Sequence, residues 1–110
     1  MTAKDELALR RYEHLVDRLE ALLRASLKPE YAGYYGQLLL GAERLKELGD
    51  LQDVRRAARE AGSRLGWKTI TRLVGGRLFV LDDREVPEEI EKRAGDSAAK
   101  AMDQAWRENR

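Results

Sequence analysis

Residues 67–81 read Trp67-Lys68-Thr69-Ile70-Thr71-Arg72-Leu73-Val74-Gly75-Gly76-Arg77-Leu78-Phe79-Val80-Leu81 and contain the clearest structural signal in the chain. β-Branched and aromatic side chains, which favour strands, stand on both sides of Gly75-Gly76. Two successive glycines allow the positive φ angles that the centre of a two-residue hairpin turn requires. The stretch therefore predicts a β-hairpin over residues 68–82. With this turn, the cross-strand pairs are Leu73–Leu78, Thr71–Val80 and Lys68–Asp83.

The segment immediately before the hairpin, residues 51–65, has the spacing of a helix with one buried face. Its apolar residues are Leu51, Val54, Ala58, Ala61 and Leu65, separated by steps of three and four. Asp50 is a suitable N-cap and Gly66 a suitable C-terminal residue, so both ends of this helix are marked in the sequence.

Two longer helices are predicted further upstream, over residues 4–27 and 30–48. The first has an apolar stripe of Leu9, Tyr12, Leu15, Val16, Leu19, Leu22, Leu23 and Leu27. The second has Tyr31, Tyr34, Tyr35, Leu38, Leu39, Ala42, Leu45 and Leu48 at helical spacing, with Gly49 as its C-terminal cap. Gly33, Gly36 and Gly41 each cost about 1 kcal/mol relative to alanine in a helix interior. Either close helix–helix packing compensates for them, or the start of this segment is a loop.

Downstream of the hairpin, Pro87 opens a last helix over residues 87–108. Its apolar stripe is thin, consisting of Ile90, Ala94, Ala98, Ala101 and Ala105. Trp106 lies near its end and either packs on the bundle or marks a partner site. Together these elements predict a mainly helical α+β fold, a compact helical bundle with one β-hairpin. A chain of 110 residues is the size of one domain, here residues 1–110.

Composition excludes several classes of chemistry. The chain has no cysteine, which excludes disulfides, thiol catalysis and cysteine-ligated zinc. The N-terminus lacks the apolar core of a signal peptide, and the longest apolar run, Leu38–Leu40, is too short for a membrane span. We therefore expect a soluble cytoplasmic protein that does not engage the membrane.

Residues that could carry catalysis or hold a metal are sparse. His14 is the only histidine, and one histidine without a second ligand is a poor metal site. Asp82, Asp83 and Glu85 have the chemistry to hold a divalent cation, but an acidic turn after a strand is usually solvated. No nucleophile, base and orienting group can be assembled from the sequence. It therefore predicts a non-enzymatic protein without cofactor or metal.

The charge distribution is the most informative functional signal. Between Arg55 and Arg77, a stretch that we call the basic segment, Glu60 is the only acid. Its basic residues are Arg55, Arg56, Arg59, Arg64, Lys68, Arg72 and Arg77. Residues 82–96, the acidic segment, are rich in aspartate and glutamate, so the net charge of the whole chain is only +1. The basic segment either binds phosphates or is a solvated surface that pairs with the acidic segment.

Two resemblances to DNA-binding proteins bear on this choice. Helix, helix and hairpin over residues 38–81 resemble the winged helix-turn-helix arrangement, in which the wing follows the recognition helix. Alternatively, Ala58-Arg59-Glu60-Ala61-Gly62 followed by residues 69–76 resembles the helix-turn-helix of bacterial repressors. That second resemblance implies a recognition helix over residues 68–74 in place of a strand. Its connection, residues 63–68, is longer than the tight turn of that family.

The sequence thus predicts a small bacterial or phage DNA-binding regulator or accessory factor. Arg55, Arg56 and Arg59 are expected to contact phosphates or bases, and Arg64, Lys68, Arg72 and Arg77 to contact the backbone or a groove. The alternative is a protein–protein adaptor or inhibitor that binds an acidic partner. The broad apolar stripes of residues 4–27 and 30–48 exceed what one small core needs, so a homodimer through these helices is expected.

Overall fold

The computed structural model describes residues 2–108 and has the predicted mainly helical α+β fold. In chain order, the elements are α1 (Ala3–Ala25), a short 3-10 helix (Pro29–Tyr31), β1 (Gln37–Leu40), α2 (Ala42–Leu48), α3 (Leu51–Arg64), β2 (Thr69–Val74), β3 (Arg77–Asp82) and α4 (Glu88–Glu108). A capping box starts α1, because the Thr2 hydroxyl accepts a hydrogen bond from the Asp5 amide at 3.2 Å and the Asp5 carboxylate accepts one from the Thr2 amide at 3.3 Å.

The hairpin forms with the predicted register. β2 and β3 are antiparallel, Leu73 faces Leu78 and Thr71 faces Val80. The Asp83 amide donates to the Lys68 carbonyl at 2.9 Å, which continues the ladder by one pair. Gly75 and Gly76 have φ angles of 57° and 76°, as a tight hairpin turn requires. The alternative of a recognition helix over residues 68–74 is therefore wrong.

A third strand completes the sheet. β1 pairs antiparallel with β3, so the order is β1-β3-β2 and β2 lies at an open edge. One face of the sheet packs on α1 and α3 through β3 residues Leu78 and Val80, both with no exposed surface. The core that forms there contains Val16, Leu19, Leu23, Leu40, Leu45, Val54, Ala57, Ala58, Ala61, Trp67, Leu78 and Val80.

The predicted helix over residues 30–48 is wrong, because this segment forms the 3-10 helix, β1 and α2 instead. Ala32, Gly33 and Tyr35 have positive φ angles of 49°, 87° and 61°, which no α-helix accommodates. Residues Leu38–Leu40 then pair with β3, a partner that lies about forty residues away in the chain. The apolar spacing fits a helix. The residues with positive φ prevent one from forming, however, and the free edge of β3 provides hydrogen-bond partners for Leu38–Leu40.

The connection between α2 and α3 is only two residues long. Gly49 ends α2 with a φ of 127°, a backbone conformation that glycine adopts readily and that residues with a side chain rarely adopt. The side chain of Asp50 accepts a hydrogen bond from the Gln52 amide at 3.2 Å and so caps α3 as predicted. α2 and α3 therefore form two helices joined by a tight turn, followed directly by the hairpin.

Two glycines allow close approach between elements. Gly62 of α3 lies against Thr69 of β2, and a Cβ atom at position 62 would overlap the threonine side chain. Gly36, just before β1, lies against the indole of Trp67, and a Cβ atom there would overlap the six-membered ring. Trp67 is buried in the core, so its ring has little room to move aside.

The last helix, α4, projects away from the rest of the protein. Ile90 anchors its first turn, and Arg93 donates to the Glu30 carbonyl at 3.2 Å. Every residue from Gly95 to Glu108 is exposed. The described residues span 64 × 29 × 18 Å as a result. Within residues 2–108, no helix combines the length and the apolar character needed to cross a bilayer.

Candidate nucleic-acid interface

The fold separates the seven basic residues into three groups. Arg55 and Arg59 lie on α3 beside the edge strand β2, and Arg72 follows Thr71 in β2, so its side chain leaves the face of the sheet away from α3. Arg56 and Arg64 lie on the side of α3 that faces α1. Lys68 and Arg77 lie at opposite ends of the hairpin. The basic segment is therefore not one continuous surface, and only the first group combines a helix with the open edge strand.

The first group is organised by Arg55, which is partly buried. Its Nε donates to the Thr71 hydroxyl at 3.0 Å and its Nη2 to the Thr71 carbonyl at 3.4 Å. These bonds join α3 to β2 beside Arg72. Arg59 follows Arg55 by one helical turn and is exposed, as is Arg72. Arg55 therefore has a structural role, whereas the side-chain hydrogen bonds and ion pairs of residues 2–108 include none from Arg59 or Arg72.

The second group is committed to contacts with α1. The Arg56 guanidinium lies 4.2 Å from the centre of the Tyr12 ring, a cation–π contact. The Tyr12 hydroxyl donates to Glu60 at 2.7 Å. Burial raises the pKa of Tyr12, and the bond to Glu60 raises it further, so the hydroxyl remains a donor at neutral pH. Arg64 forms an ion pair with Asp17 at 2.8 Å.

The third group is exposed but differs in its surroundings. The Lys68 backbone amide donates to Asp82 at 3.2 Å, while its side chain points to solvent. Arg77 borders an open groove of about 670 Å³ between the hairpin turn and α2, together with Glu43 and Glu47. Arg44 lines the same groove, so the charges around Arg77 are mixed.

The side chains of the acidic segment form no ion pair with the basic segment among residues 2–108, and the two segments meet through backbone groups at Lys68. Within residues 2–108, the ion pairs join Arg24 to Glu20, Arg64 to Asp17, Arg84 to Asp82 and Arg107 to Asp103. None of them joins the two segments. The explanation of the basic segment as a surface that pairs with the acidic segment therefore receives no support from the described contacts.

Asp82 has a structural environment that the sequence did not indicate. Its side chain is only 1% exposed, and its carboxylate meets Nη2 of Arg84 at 2.7 Å and Nε at 2.8 Å. Arg84 also donates to the Gly33 carbonyl at 2.9 Å and stacks 4.4 Å from the centre of the Tyr34 ring. The expectation that this acidic turn is solvated is therefore wrong for Asp82, whose side chain is buried and paired with Arg84.

Two polar residues on the outer face of α3 were not among the predicted site residues, although the spacing of the apolar stripe already places Ser63 away from the core. Gln52 and Ser63 are exposed, and their spacing from Arg59 places all three on one side of the helix. Glutamine and arginine are the side chains that make bidentate contacts with adenine and guanine edges. Neither Gln52 nor Ser63 carries a charge, so the clustering of basic residues does not indicate them, whereas the helical period opposite the buried stripe of α3 does.

An apolar groove of about 620 Å³ separates the first half of α1 from the turn between α2 and α3. Leu9, Tyr12, Leu15 and Leu48 line it, together with Asp50.

Among residues 2–108, no three acidic or histidine side chains converge in a way that would hold a metal ion. Comparison with protein-family models, curated proteins and solved structures finds no match to this chain.

Proposed function

We propose that this protein binds DNA through the outer face of α3 and the adjoining edge strand β2. The observation that carries the proposal is the position of Arg59 and Arg72. Both are exposed, neither has an ion-pair partner among the described residues, and they stand on adjacent elements, Arg59 on α3 and Arg72 on the face of β2 that points away from α3. Uncommitted guanidinium groups of this kind bind phosphates by displacing condensed counterions.

The order of the elements supports the same proposal. Two helices joined by the Gly49-Asp50 turn and followed by a hairpin resemble the winged helix-turn-helix arrangement. In helix-turn-helix proteins the second helix lies in the major groove. By that resemblance, α3 would present Gln52, Arg59 and Ser63 to base edges, and Arg72 and Lys68 would contact flanking phosphates.

The proposal predicts salt-sensitive DNA binding that depends on Arg59 and Arg72. For Arg59→Ala/Arg72→Ala, we expect affinity for mixed-sequence duplex DNA to fall about tenfold or more, because two cationic contacts are lost. The slope of log K against log salt should decrease by about two, one for each lost phosphate contact. Fluorescence anisotropy across a salt series measures both quantities.

A matched control is Arg10→Ala/Arg18→Ala, which removes the same charge from α1. Both arginines are exposed on the side of α1 opposite the buried Val16 and Leu19. This variant should keep most of the wild-type affinity and slope. Equal losses in the two double variants would mean attraction by net charge alone. An absence of binding by the wild type at low salt would reject the DNA proposal and favour an acidic protein partner.

A further inference from the structure

The outer face of the sheet, which points away from α1 and α3, is apolar and open to solvent. Successive side chains of a strand point to opposite faces, so the residues that alternate with the buried Leu78 and Val80 of β3 point outward. Leu39 and Val74 on this face are 50% and 59% exposed. Its large apolar residues are Leu39 of β1, Ile70 and Val74 of β2, and Phe79 and Leu81 of β3. An exposed apolar patch of this kind indicates a surface to which another molecule binds.

Phe79 lies at the centre of the outer face. It faces Leu39 of β1 on one side and Arg72 of β2 on the other, and it is partly exposed. The aromatic and cation–π contacts within residues 2–108 do not include Phe79. Its ring is therefore accessible to a planar group of a ligand, because none of these described contacts stacks a second ring or a guanidinium on it.

The positive charges of the outer face lie on one side of it. Lys68 and Arg72 belong to the edge strand β2, and Arg77 lies two residues before Phe79 in β3. The side chains of these three residues take part in none of the ion pairs of residues 2–108. On the other side, β1 contributes the uncharged Gln37 and Leu39. The face thus has cations along β2 and an apolar surface over β3 and β1.

Carboxylates lie close to two of these cations but not to the third. Asp83 stands opposite Lys68 across the hairpin, where its amide donates to the Lys68 carbonyl at 2.9 Å. Arg77 shares its groove with acidic residues of α2, as described above. The position that faces Arg72 in β3 is held by Phe79, which carries no charge. The least compensated cation of the outer face therefore stands directly beside the aromatic ring.

We infer that this face binds single-stranded DNA, with a base stacked on Phe79 and the phosphates along β2. A single strand carries its charge on one side, in the sugar–phosphate backbone, and its planar apolar bases on the other. This polarity matches a face with cations along one edge strand and apolar side chains beside them. Base stacking on an aromatic side chain next to a cationic track is the usual basis of such binding.

The surroundings of Phe79 favour this occupant over two others. Leu39 and Leu81 offer an apolar contact to a thymine methyl group but no hydrogen-bond partner to a ribose 2′-hydroxyl, which favours DNA over RNA. A second copy of this chain fits less well, because two copies of a face with Arg72 beside its centre would repel each other.

This site is distinct from the duplex-binding face that we propose for α3. Gln52, Arg59 and Ser63 lie on α3, which packs on the inner face of the sheet, whereas Phe79 points outward. Lys68 and Arg72 are the residues that both sites would use. The inference does not rest on duplex binding, and either site can fail its test without the other.

Fluorescence anisotropy with a labelled oligothymidylate, which forms no base pairs with itself, tests the site. Phe79→Leu keeps an apolar side chain but removes the ring, so affinity should fall at least about fivefold, the lower end of the range for one stacked base. Phe79→Tyr keeps the ring and should bind about as tightly as the wild type. Duplex affinity should be unchanged in Phe79→Leu, whereas Arg59→Ala should weaken duplex binding and leave oligothymidylate binding unchanged.

Two further variants separate stacking and charge from general effects. Trp106→Leu is the matched control for Phe79→Leu, because it removes a ring that is 68% exposed but lies on α4, outside the sheet. It should keep the wild-type affinity. Arg72→Gln changes an exposed side chain, so the fold stays intact even if Phe79→Leu is unstable. Its slope of log K against log salt should decrease by about 0.7, the value for one phosphate of a single strand.

Three results would overturn the inference. One is a wild type that does not bind oligothymidylate at low salt, which would leave an acidic protein with an apolar surface as the occupant of this face. Another is an equal loss of affinity in Phe79→Leu and Trp106→Leu, because the ring of Phe79 would then have no specific role. The third is tighter binding of oligouridylate than of oligothymidylate, since the contacts around Phe79 would then not select DNA.

Discussion

Asp82→Ala is expected to lower the free energy of unfolding by about 3–5 kcal/mol, the range for removing one partner of a buried ion pair. The carboxylate accepts from the backbone amides of Lys68 and Arg84 at 3.2 and 3.1 Å, in addition to the guanidinium of Arg84. The substitution leaves these amides and a partly buried cation without their acceptor. Urea denaturation followed by circular dichroism gives the difference in unfolding free energy.

Asp83→Ala provides the matched control for this measurement. Asp83 is adjacent in sequence but exposed, and its side chain takes part in none of the hydrogen bonds of residues 2–108. Its replacement should change stability by less than about 0.5 kcal/mol, as is usual for a surface site. If both aspartates gave similarly small changes, the buried ion pair would not stabilise the fold.

Gly36→Ala is expected to destabilise the protein by about 3 kcal/mol. The new methyl group would overlap the indole of Trp67, so the ring must leave its position or β1 must shift. Displacing a buried aromatic side chain costs about as much as deleting it, and overpacking alone costs about 1–3 kcal/mol. Thermal and urea unfolding measure the loss, and the near-ultraviolet circular dichroism of the tryptophan reports movement of the ring.

A double-mutant cycle identifies the cause of this loss. In a Trp67→Ala background, Gly36→Ala should cost less than about 1 kcal/mol, because the overlapping ring is absent. Gly95→Ala is a contrasting glycine substitution, since a Cβ atom there meets nothing within 4 Å. It should leave the protein equally or slightly more stable, by up to about 1 kcal/mol. An unchanged penalty in the Trp67→Ala background would place the strain elsewhere.

Local signals in the sequence were sufficient for the hairpin and for three of the helices. Gly75-Gly76 indicates the position of the turn, and that position fixes the pairing of Leu73 with Leu78. For α3, the buried stripe and the Asp50 cap agree on the same boundaries. Each of these elements depends on interactions between residues near one another in the chain, which sequence spacing describes directly.

β1 could not be predicted in the same way, because its stability comes from a distant partner. Leu38–Leu40 pair with residues 78–80 of β3, and nothing within the segment indicates that pairing. The positive φ angles of Ala32 and Tyr35 were equally hidden, since neither residue type favours them. Apolar residues at three- and four-residue steps therefore suggested one continuous helix where tertiary contacts produce three short elements.

The candidate site shows the same division between local and distant information. Clustering of positive charge between Arg55 and Arg77 is visible in the sequence. Which arginines are already engaged is not, because Thr71, Tyr12 and Asp17, the partners of Arg55, Arg56 and Arg64, belong to other elements. The structure divides the seven candidates into residues with a side-chain partner and residues without one among residues 2–108, and Arg59 and Arg72 belong to the second group.

The projection of α4 has a consequence for when this part of the chain is folded. The radius of gyration is 17.3 Å, against about 13 Å for a compact domain of this length. Beyond its first turn, α4 depends on intrinsic helix propensity, which is marginal for a solitary helix in water. The part of α4 beyond its first turn, up to Glu108, is therefore expected to fray and to be cut by proteases while the sheet and the other helices stay intact.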